Sequence, residues 1–166
     1  MLAGLALAAL MYTGFAVAQT ATGPNKVYIE QIGSTNTVTI QQVGGTNNVG
    51  GVAGNVTVAG TGVSTLVATA PSATNYATIN GSTNTVGITQ TGDNNSAQYS
   101  IKGNNNTYNS IMTGSNNQTK LTMGDANTNT LRSTVTETVT GSSNMLIQDV
   151  VGSDINSTST IVGSSN

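Results

Sequence analysis

The side chains that could do acid–base chemistry are few. Six carboxylates, Glu30, Asp93, Asp125, Glu137, Asp149 and Asp154, stand singly along a chain of 166 residues that has no histidine and no cysteine. General bases, nucleophile partners and zinc ligands of the usual kinds are therefore missing. Two carboxylates meeting in space could still cleave a glycosidic bond, but nothing in their spacing asks for it. The reading is a protein that is not an enzyme, with no cofactor, no metal and no small-molecule substrate. Nucleic acid is also a poor partner. Formal net charge is −2 with four Lys+Arg, and the aromatics are Tyr 5, Phe 1 and Trp 0, which leaves neither a basic stripe for phosphates nor a stacking platform.

The chemistry that does recur at fixed spacing is hydrogen bonding by amides. Gly-x-x-Asn occurs at Gly33, Gly44, Gly81, Gly92, Gly103, Gly114, Gly124, Gly141 and Gly163, where composition alone gives roughly two or three such matches. Several intervals are eleven residues: Gly33 to Gly44, Gly81 through Gly92 and Gly103 to Gly114, and Gly141 through Gly152 to Gly163. The amides expected to stack into ladders are Gln31, Asn36, Gln42, Asn47, Asn84, Gln90, Asn95, Asn106, Asn117, Asn127 and Asn144. Burying an amide is tolerable only when it is paired, and amide ladders are one way a stack of strands pairs them.

Such ladders need elements that bring equivalent residues into line. Two, four and six places after each Asn the residues are mostly apolar or amide, as in Val38, Ile40 and Gln42 or Val86, Ile88 and Gln90, and the residues between are mostly polar. Period two over five to seven residues is a half-buried strand. Gly and Asn supply the corner, because they adopt positive φ at least cost, which makes Gly33, Gly44, Gly81, Gly92, Gly103, Gly114, Gly141, Gly152 and Gly163 the corner glycines. The expected fold is all-β: a two-sheet β-solenoid of 11-residue strand-and-turn half-repeats, about 22 residues per rung, with rungs stacked about 4.8 Å apart. Ile29, Val38, Ile40, Val86, Ile88, Tyr99, Leu121 and Leu146 form its inner apolar seam.

Residues 1–18 read as a signal peptide, with an apolar run from Leu2 ending in Ala16-Val17-Ala18 before Gln19. A short segment, 19–24, precedes a single repeat domain, 25–166. The rhythm breaks twice. Residues 48–80 keep a Val-rich alternation but lose the corners and contain Pro71, which suggests a longer loop or a distorted rung. In 124–141 the glycine interval is seventeen, and "TLRSTVTETVT" reads as one long or bulged strand, with Asn127, Leu131, Val135 and Val139 as candidates for its inner face.

The stretch "QIGSTNTVTIQQVGGTN", Gln31 to Asn47, resembles the curlin repeat of bacterial curli subunits, Gln-x-Gly-x-x-Asn-x-Ala-x-x-x-Gln. It reads Gln31, Gly33, Asn36, Val38 and Gln42, then Gln42, Gly44, Asn47 and Val49. A further copy begins at Gln90 with Gly92, Asn95 and Ala97 but has Ile101 in place of the closing Gln. Asn25 and Asn84 stand where the family usually has Ser, and Met112, Met123 and Val150 stand at expected Gln positions, a pattern open to a major subunit, a nucleator or a divergent fibre protein. The resemblance implies cross-β stacking between subunits and assembly into functional amyloid fibres of a biofilm matrix that serve adhesion and aggregation on the surface of a Gram-negative bacterium. It also implies secretion through a dedicated outer-membrane pore with accessory proteins, and a nucleator partner.

The ends carry the same implication. A soluble solenoid covers its open edges with a cap or with charge, and "IVGSSN" stops within a repeat, so the partner expected from the residues is a second copy, joined head to tail. The alternative is a secreted monomeric β-solenoid binding module, ice-binding or adhesin. Thr-x-Thr at Thr35, Thr37 and Thr39 and at Thr128 and Thr130 suits an ice-binding face. Positions one and three after successive corner Asn residues nevertheless read Thr37/Thr39, Thr85/Gly87, Ser96/Gln98, Thr107/Asn109 and Gln118/Lys120, which is no continuous Thr register.

Overall fold

The computed structural model describes residues 16–18, 25–50, 53–57, 64–68, 76–125 and 127–166. Residues 1–15 of the expected signal peptide, all of 19–24, and Pro71 lie outside them. Every regular element among the described residues is a strand. In chain order these are β1 (Ala16–Ala18), β2 (Lys26–Val27), β3 (Ile29–Ile32), β4 (Thr37–Val43), β5 (Asn48–Val49), β6 (Ala53–Thr57), β7 (Ser64–Ala68) and β8 (Ala77–Asn80). There follow β9 (Thr85–Thr91), β10 (Ser96–Asn104), β11 (Thr107–Thr113), β12 (Gln118–Met123), β13 (Thr130–Leu131), β14 (Thr134–Ser142), β15 (Met145–Val150) and β16 (Asn156–Ser164).

Two parallel sheets carry the fold. The first runs β1-β4-β9-β11-β14-β16, and the second runs β15-β12-β10-β5-β2 with β3, β8 and β13 attached. Between one strand of the first sheet and the next the chain crosses once to the second sheet. Each circuit lies in register on its predecessor: Lys26 faces Asn48, Thr85 faces Thr107, Ser96 faces Gln118 and Thr134 faces Asn156, each twenty-two residues apart.

Beyond β1, whose Ala16 faces Ile40 twenty-four residues on, two offsets are larger, and both have a local cause. Thr37 faces Thr85 forty-eight residues on, because 51–76 are inserted between β5 and β8 and include the antiparallel hairpin β6–β7. Gly103 faces Thr130 and Thr107 faces Thr134 twenty-seven residues on, because 125–129 are inserted between β12 and β13. The second irregular segment is thus an ordinary strand preceded by a short loop.

Alternation decides which side chains go inside. In β9 and β11 the inward residues Val86, Ile88, Gln90, Tyr108, Ser110 and Met112 are buried while their neighbours face out. Ile79, Ile101, Leu121, Met123, Val135 and Val139 complete a core shared by both sheets, filled largely by β-branched and aromatic residues suited to a pleated surface.

Candidate functional site

The corners are where the recurring residues meet. All nine corner glycines have positive φ, from Gly92 at 104° to Gly81 at 146°. A second reason for glycine is axial. A Cβ on Gly33 would overlap the carbonyl of Gly81, and the same holds for Gly81 on Gly103, Gly92 on Gly114, Gly114 on Gly141 and Gly141 on Gly163. The glycine lets backbone stack on backbone at the bend.

The second left-handed residue of each corner is not the Asn, as the sequence suggested, but the residue before it: Thr35 (60°), Thr46 (58°), Thr83 (61°), Asn94 (63°), Asn105 (58°), Asn116 (60°) and Ser143 (58°). For a β-branched Thr this conformation costs roughly 1–2 kcal/mol. The ladder next door offsets it.

That ladder is built by the Asn side chains. Asn25, Asn47, Asn95, Asn117, Asn144 and Asn166 form one unbroken column. Each Oδ1 accepts the backbone N–H of the next member, from Asn47 to Asn25 at 2.9 Å through Asn117 to Asn95 at 3.1 Å to Asn166 to Asn144 at 3.1 Å. Each Nδ2 donates to the carbonyl of the next corner glycine, as Asn95 does to Gly114 and Asn117 to Gly141, both at 2.8 Å. A side-chain rail runs alongside, with Asn95 Nδ2 to Asn47 Oδ1 and Asn117 Nδ2 to Asn95 Oδ1 both at 3.1 Å. Every amide proton of Asn95 and Asn117 finds an acceptor, so burying them leaves no donor unmade.

The other column is shorter. Asn36, Asn84 and Asn106 repeat the pattern, with Asn84 N–H to Asn36 Oδ1 at 2.9 Å and Asn106 N–H to Asn84 Oδ1 at 3.0 Å. The corner Thr130–Ser133 then puts Ser133 in the Asn position: its N–H donates to Asn106 Oδ1 at 3.0 Å, and its Oγ accepts from Ile155 N–H at 3.1 Å. Arg132 and Asp154, the left-handed residues of the last two corners in this column, form a bidentate exposed ion pair at 2.8 and 2.7 Å.

Two expected ladder residues, Asn127 and Gln31, stand outside the ladders, and two others, Gln42 and Gln90, form a short one. Asn127 belongs to the inserted loop 125–129, exposed, with its N–H held by Asp125 Oδ1 at 2.7 Å in an Asx turn, so Gly124-x-x-Asn is no corner. Gln31 has Ile79, not an amide, as its neighbour; its column continues through Ile101, Met123 and Val150, and its Oε1 is buried with no hydrogen-bond partner in the chain. Gln42 and Gln90 do pair, Nε2 donating to Oε1 at 2.7 Å, and Gln90 Nε2 donates in turn to Asn48 O at 3.1 Å, but Met112 and Val139 end that ladder at two members. Asn25 and Asn166, the two ends of the long column, stand at repeat positions but outside the expected ladder set. Their signal was the spacing, eleven residues from Asn25 to Asn36 and twenty-two from Asn144 to Asn166.

The seam residues Ile40, Val86, Ile88, Tyr99 and Leu121 are buried, and Ile29, Val38 and Leu146 pack on them half-buried. Of the four candidates for the irregular segment, Val135 and Val139 point inward, while Leu131 lies in a corner and Asn127 in the loop.

Between Val135 and Val139 sits a residue the sequence reading left without a role. Glu137 is fully buried, stacked between Ser110 and Ser159. Tyr108 donates its hydroxyl to Glu137 Oε2 at 2.8 Å, and the Tyr108 ring meets Tyr99 at 5.7 Å. Glu137 Oε1, Ser110 Oγ, Thr119 Oγ1 and Gln148 Nε2 lack partners at hydrogen-bond distance, although Ser110, Thr119 and Gln148 lie near enough to favour the charged carboxylate. Desolvation outweighs that help and pushes the Glu137 carboxyl up to about 7.

Among the described residues no group of three or more His, Cys, Asp or Glu side chains could hold a metal ion. Comparison with known proteins adds no relative: no family model, no curated protein and no solved structure matches the chain.

Proposed function

We propose that the chain is a β-solenoid of 22-residue rungs that polymerises end to end into an amyloid-type fibre. The observation that carries this reading is the parallel stack itself, whose edge strands among the described residues keep the register of the Asn column. Among the described residues β15 and β16 are the outermost strands of their sheets, each paired on one side, and the Asn column keeps its register as far as Asn166. At the opposite edge, among the described residues, β2 and β3 likewise pair on one side. β4 is covered by β1, whose Ala16–Ala18 face Ile40–Gln42. Loss of residues 1–18 as a leader strips that cover. The edge of β4 then presents unpaired backbone groups to the edge of β16 of another copy, a heterologous contact that extends and does not close.

In this reading the Asn columns set the axial register, because an amide out of step leaves buried donors unmade. Extracellular placement on a bacterial surface, a role in adhesion and aggregation within a biofilm matrix, and a nucleator with an outer-membrane pore and accessory proteins are the parts of the proposal that follow from the curlin resemblance.

The test is incubation of the chain lacking residues 1–18 in plain buffer, followed by negative-stain microscopy and fibre diffraction. Fibres with a meridional spacing of about 4.7–4.8 Å are expected. A folded chain that stays monomeric at every concentration overturns the proposal.

A further inference from the structure

Outward positions read in chain order mix the two sheets. Sorted by sheet, they separate into two unlike surfaces. On the first sheet Thr holds two of the four outward positions of β4, three on β9, two on β11, all four on β14 and two on β16. Parallel pairing places them in columns: Thr37 faces Thr85, which faces Thr107, which faces Thr134, and at the far side of the sheet Thr91, Thr113 and Thr140 do the same. β14 crosses these columns with an unbroken row, Thr134, Thr136, Thr138 and Thr140.

The register that seemed absent is present on one face. Ser96/Gln98 and Gln118/Lys120, which broke it, belong to the second sheet.

Three further observations single out this face. No charged residue stands on it. Lys26, Glu30, Lys102, Lys120 and Asp149 take outward positions of the second sheet, Asp93, Arg132 and Asp154 lie in corners, Asp125 is in the inserted loop and Glu137 is inside. Both insertions, 51–76 and 125–129, leave from the second sheet, so β4, β9, β11, β14 and β16 run without interruption. At Gly87 and Asn109 the Asn109 amide lies over the glycine, in space a Cβ on Gly87 would occupy; the other positions without Thr are Ile111 inside the sheet and Gln41, Val43, Asn156 and Val162 on the edge strands β4 and β16.

We propose that the outer face of the first sheet is an ice-binding surface whose occupant is the ordered water lattice of an ice crystal. Neighbouring strands set one repeat of about 4.8 Å and alternate residues along a strand set the other at about 6.6 Å. At most grid points stand a hydroxyl, which both donates and accepts, and a methyl group. Thr is β-branched and stiff at χ1, so the grid is ordered before it binds and loses little side-chain entropy on binding.

A surface periodic in two directions and free of charge matches a neutral crystal of donors and acceptors. An extended peptide or glycan matches it along one direction only. Phosphate-bearing partners and anionic lipid need cations that the face lacks. The face runs along the stacking direction, so it is present in a monomer and grows in a polymer, and the inference stands apart from the fibre reading.

The test is ice recrystallisation inhibition and crystal shaping by the full chain, beside Thr138→Lys on the proposed face and Thr122→Lys on the outward side of the second sheet. Circular dichroism reports strand content, and Thr160→Lys on the edge strand β16 replaces Thr138→Lys if that variant does not fold. The expected result is activity in the natural chain and in Thr122→Lys, and loss of activity in folded Thr138→Lys or Thr160→Lys. Absence of ice activity in the natural chain overturns the proposal, as does equal activity in all variants. Loss of lateral association between copies in Thr138→Lys with ice activity unchanged also overturns it and assigns the face to a second copy. Fibre formation is scored separately, so failure here leaves the end-to-end reading untouched.

Discussion

Lowering the pH from 8 to 4.5 is predicted to stabilise this protein, and a single buried side chain accounts for the direction. The Glu137 carboxyl, ordinarily near 4.5, is raised to about 7 in the folded chain by burial. Between those values the folded state holds a proton that the unfolded chain has released, so stability falls as pH rises. The contribution is fully present below about 4.5, declines by up to about 1.4 kcal/mol per pH unit, and is gone above about 7, a total on the order of 3 kcal/mol. The side chains facing Glu137 are Tyr108 and Ser110 on β11, Thr119 on β12, Gln148 on β15 and Ser159 on β16. Tyr108 is itself pushed well above the usual tyrosine range by burial and by Glu137, so it does not titrate in this window. Asp125, held low by the backbone N–H groups of Asn127 and Thr128, and Asp154, held low by Arg132, change state below it. The assay is denaturant unfolding of dilute, unpolymerised chain from pH 4.5 to 8, beside Glu137→Gln, which keeps the shape and cannot ionise. The natural chain should lose stability with rising pH relative to the variant. Parallel profiles, or a natural chain that gains stability with pH, would refute the reasoning.

The corners and core make three further predictions. Asn95→Ala strands the Asn117 N–H and the Gly114 carbonyl and should cost about 2–4 kcal/mol, whereas exposed Asn94→Gly, which keeps the left-handed φ of 63° accessible and loses only a bond to Asn116 at 3.0 Å, should stay within about 0.5 kcal/mol in the same urea titration; equal losses would contradict the ladder. Gly114→Ala adds a Cβ against the Gly141 carbonyl at φ 116° and should cost more than about 3 kcal/mol, against about 1–2 kcal/mol for Gly152→Ala, whose added Cβ meets nothing nearer than Ile155 at 3.8 Å. Gln42→Met alone orphans Gln90 Oε1 and should cost about 1–2 kcal/mol, while adding Gln90→Met should restore most of that, since Met112 already fills the next place in the column; additive losses in the double-mutant cycle would count against a paired amide.

The two parallel sheets were legible because glycine and asparagine mark each bend and alternation marks what lies between. The joining of β5 to β8 was not, because the insertion 51–76 intervenes and the two short strands look unrelated until Val49 and Ile79 are seen on the same β10, facing Ala97 and Ile101. Composition also supplied a decoy. Gly124 and Asn127 keep the corner spacing although Asn127 lies in an inserted loop, while the true corner at Thr130–Ser133 has neither residue type. Glu137 stayed hidden because a charged residue between threonines reads as outward until its neighbours Val135 and Val139 are seen to share its face. The Thr face was obscured by connectivity: consecutive strands belong to opposite sheets, so a pattern confined to one sheet appears broken in every second strand.

The most direct test of end-to-end stacking uses the absence of cysteine in the natural chain. In β16, Thr160 faces Thr138, and in β4, Gln41 faces Thr89 at the equivalent position of the same column. If the β16 edge of one copy meets the β4 edge of the next, Thr160 and Gln41 lie opposite one another with Cα atoms about 4.8 Å apart, within disulfide range. Two chains lacking residues 1–18, one Thr160→Cys and one Gln41→Cys, would be mixed, allowed to form fibres and then oxidised. Predominance of the mixed disulfide over either homodimer is predicted. Homodimers in statistical proportion, or no cross-linking in fibres that have formed, would contradict head-to-tail stacking.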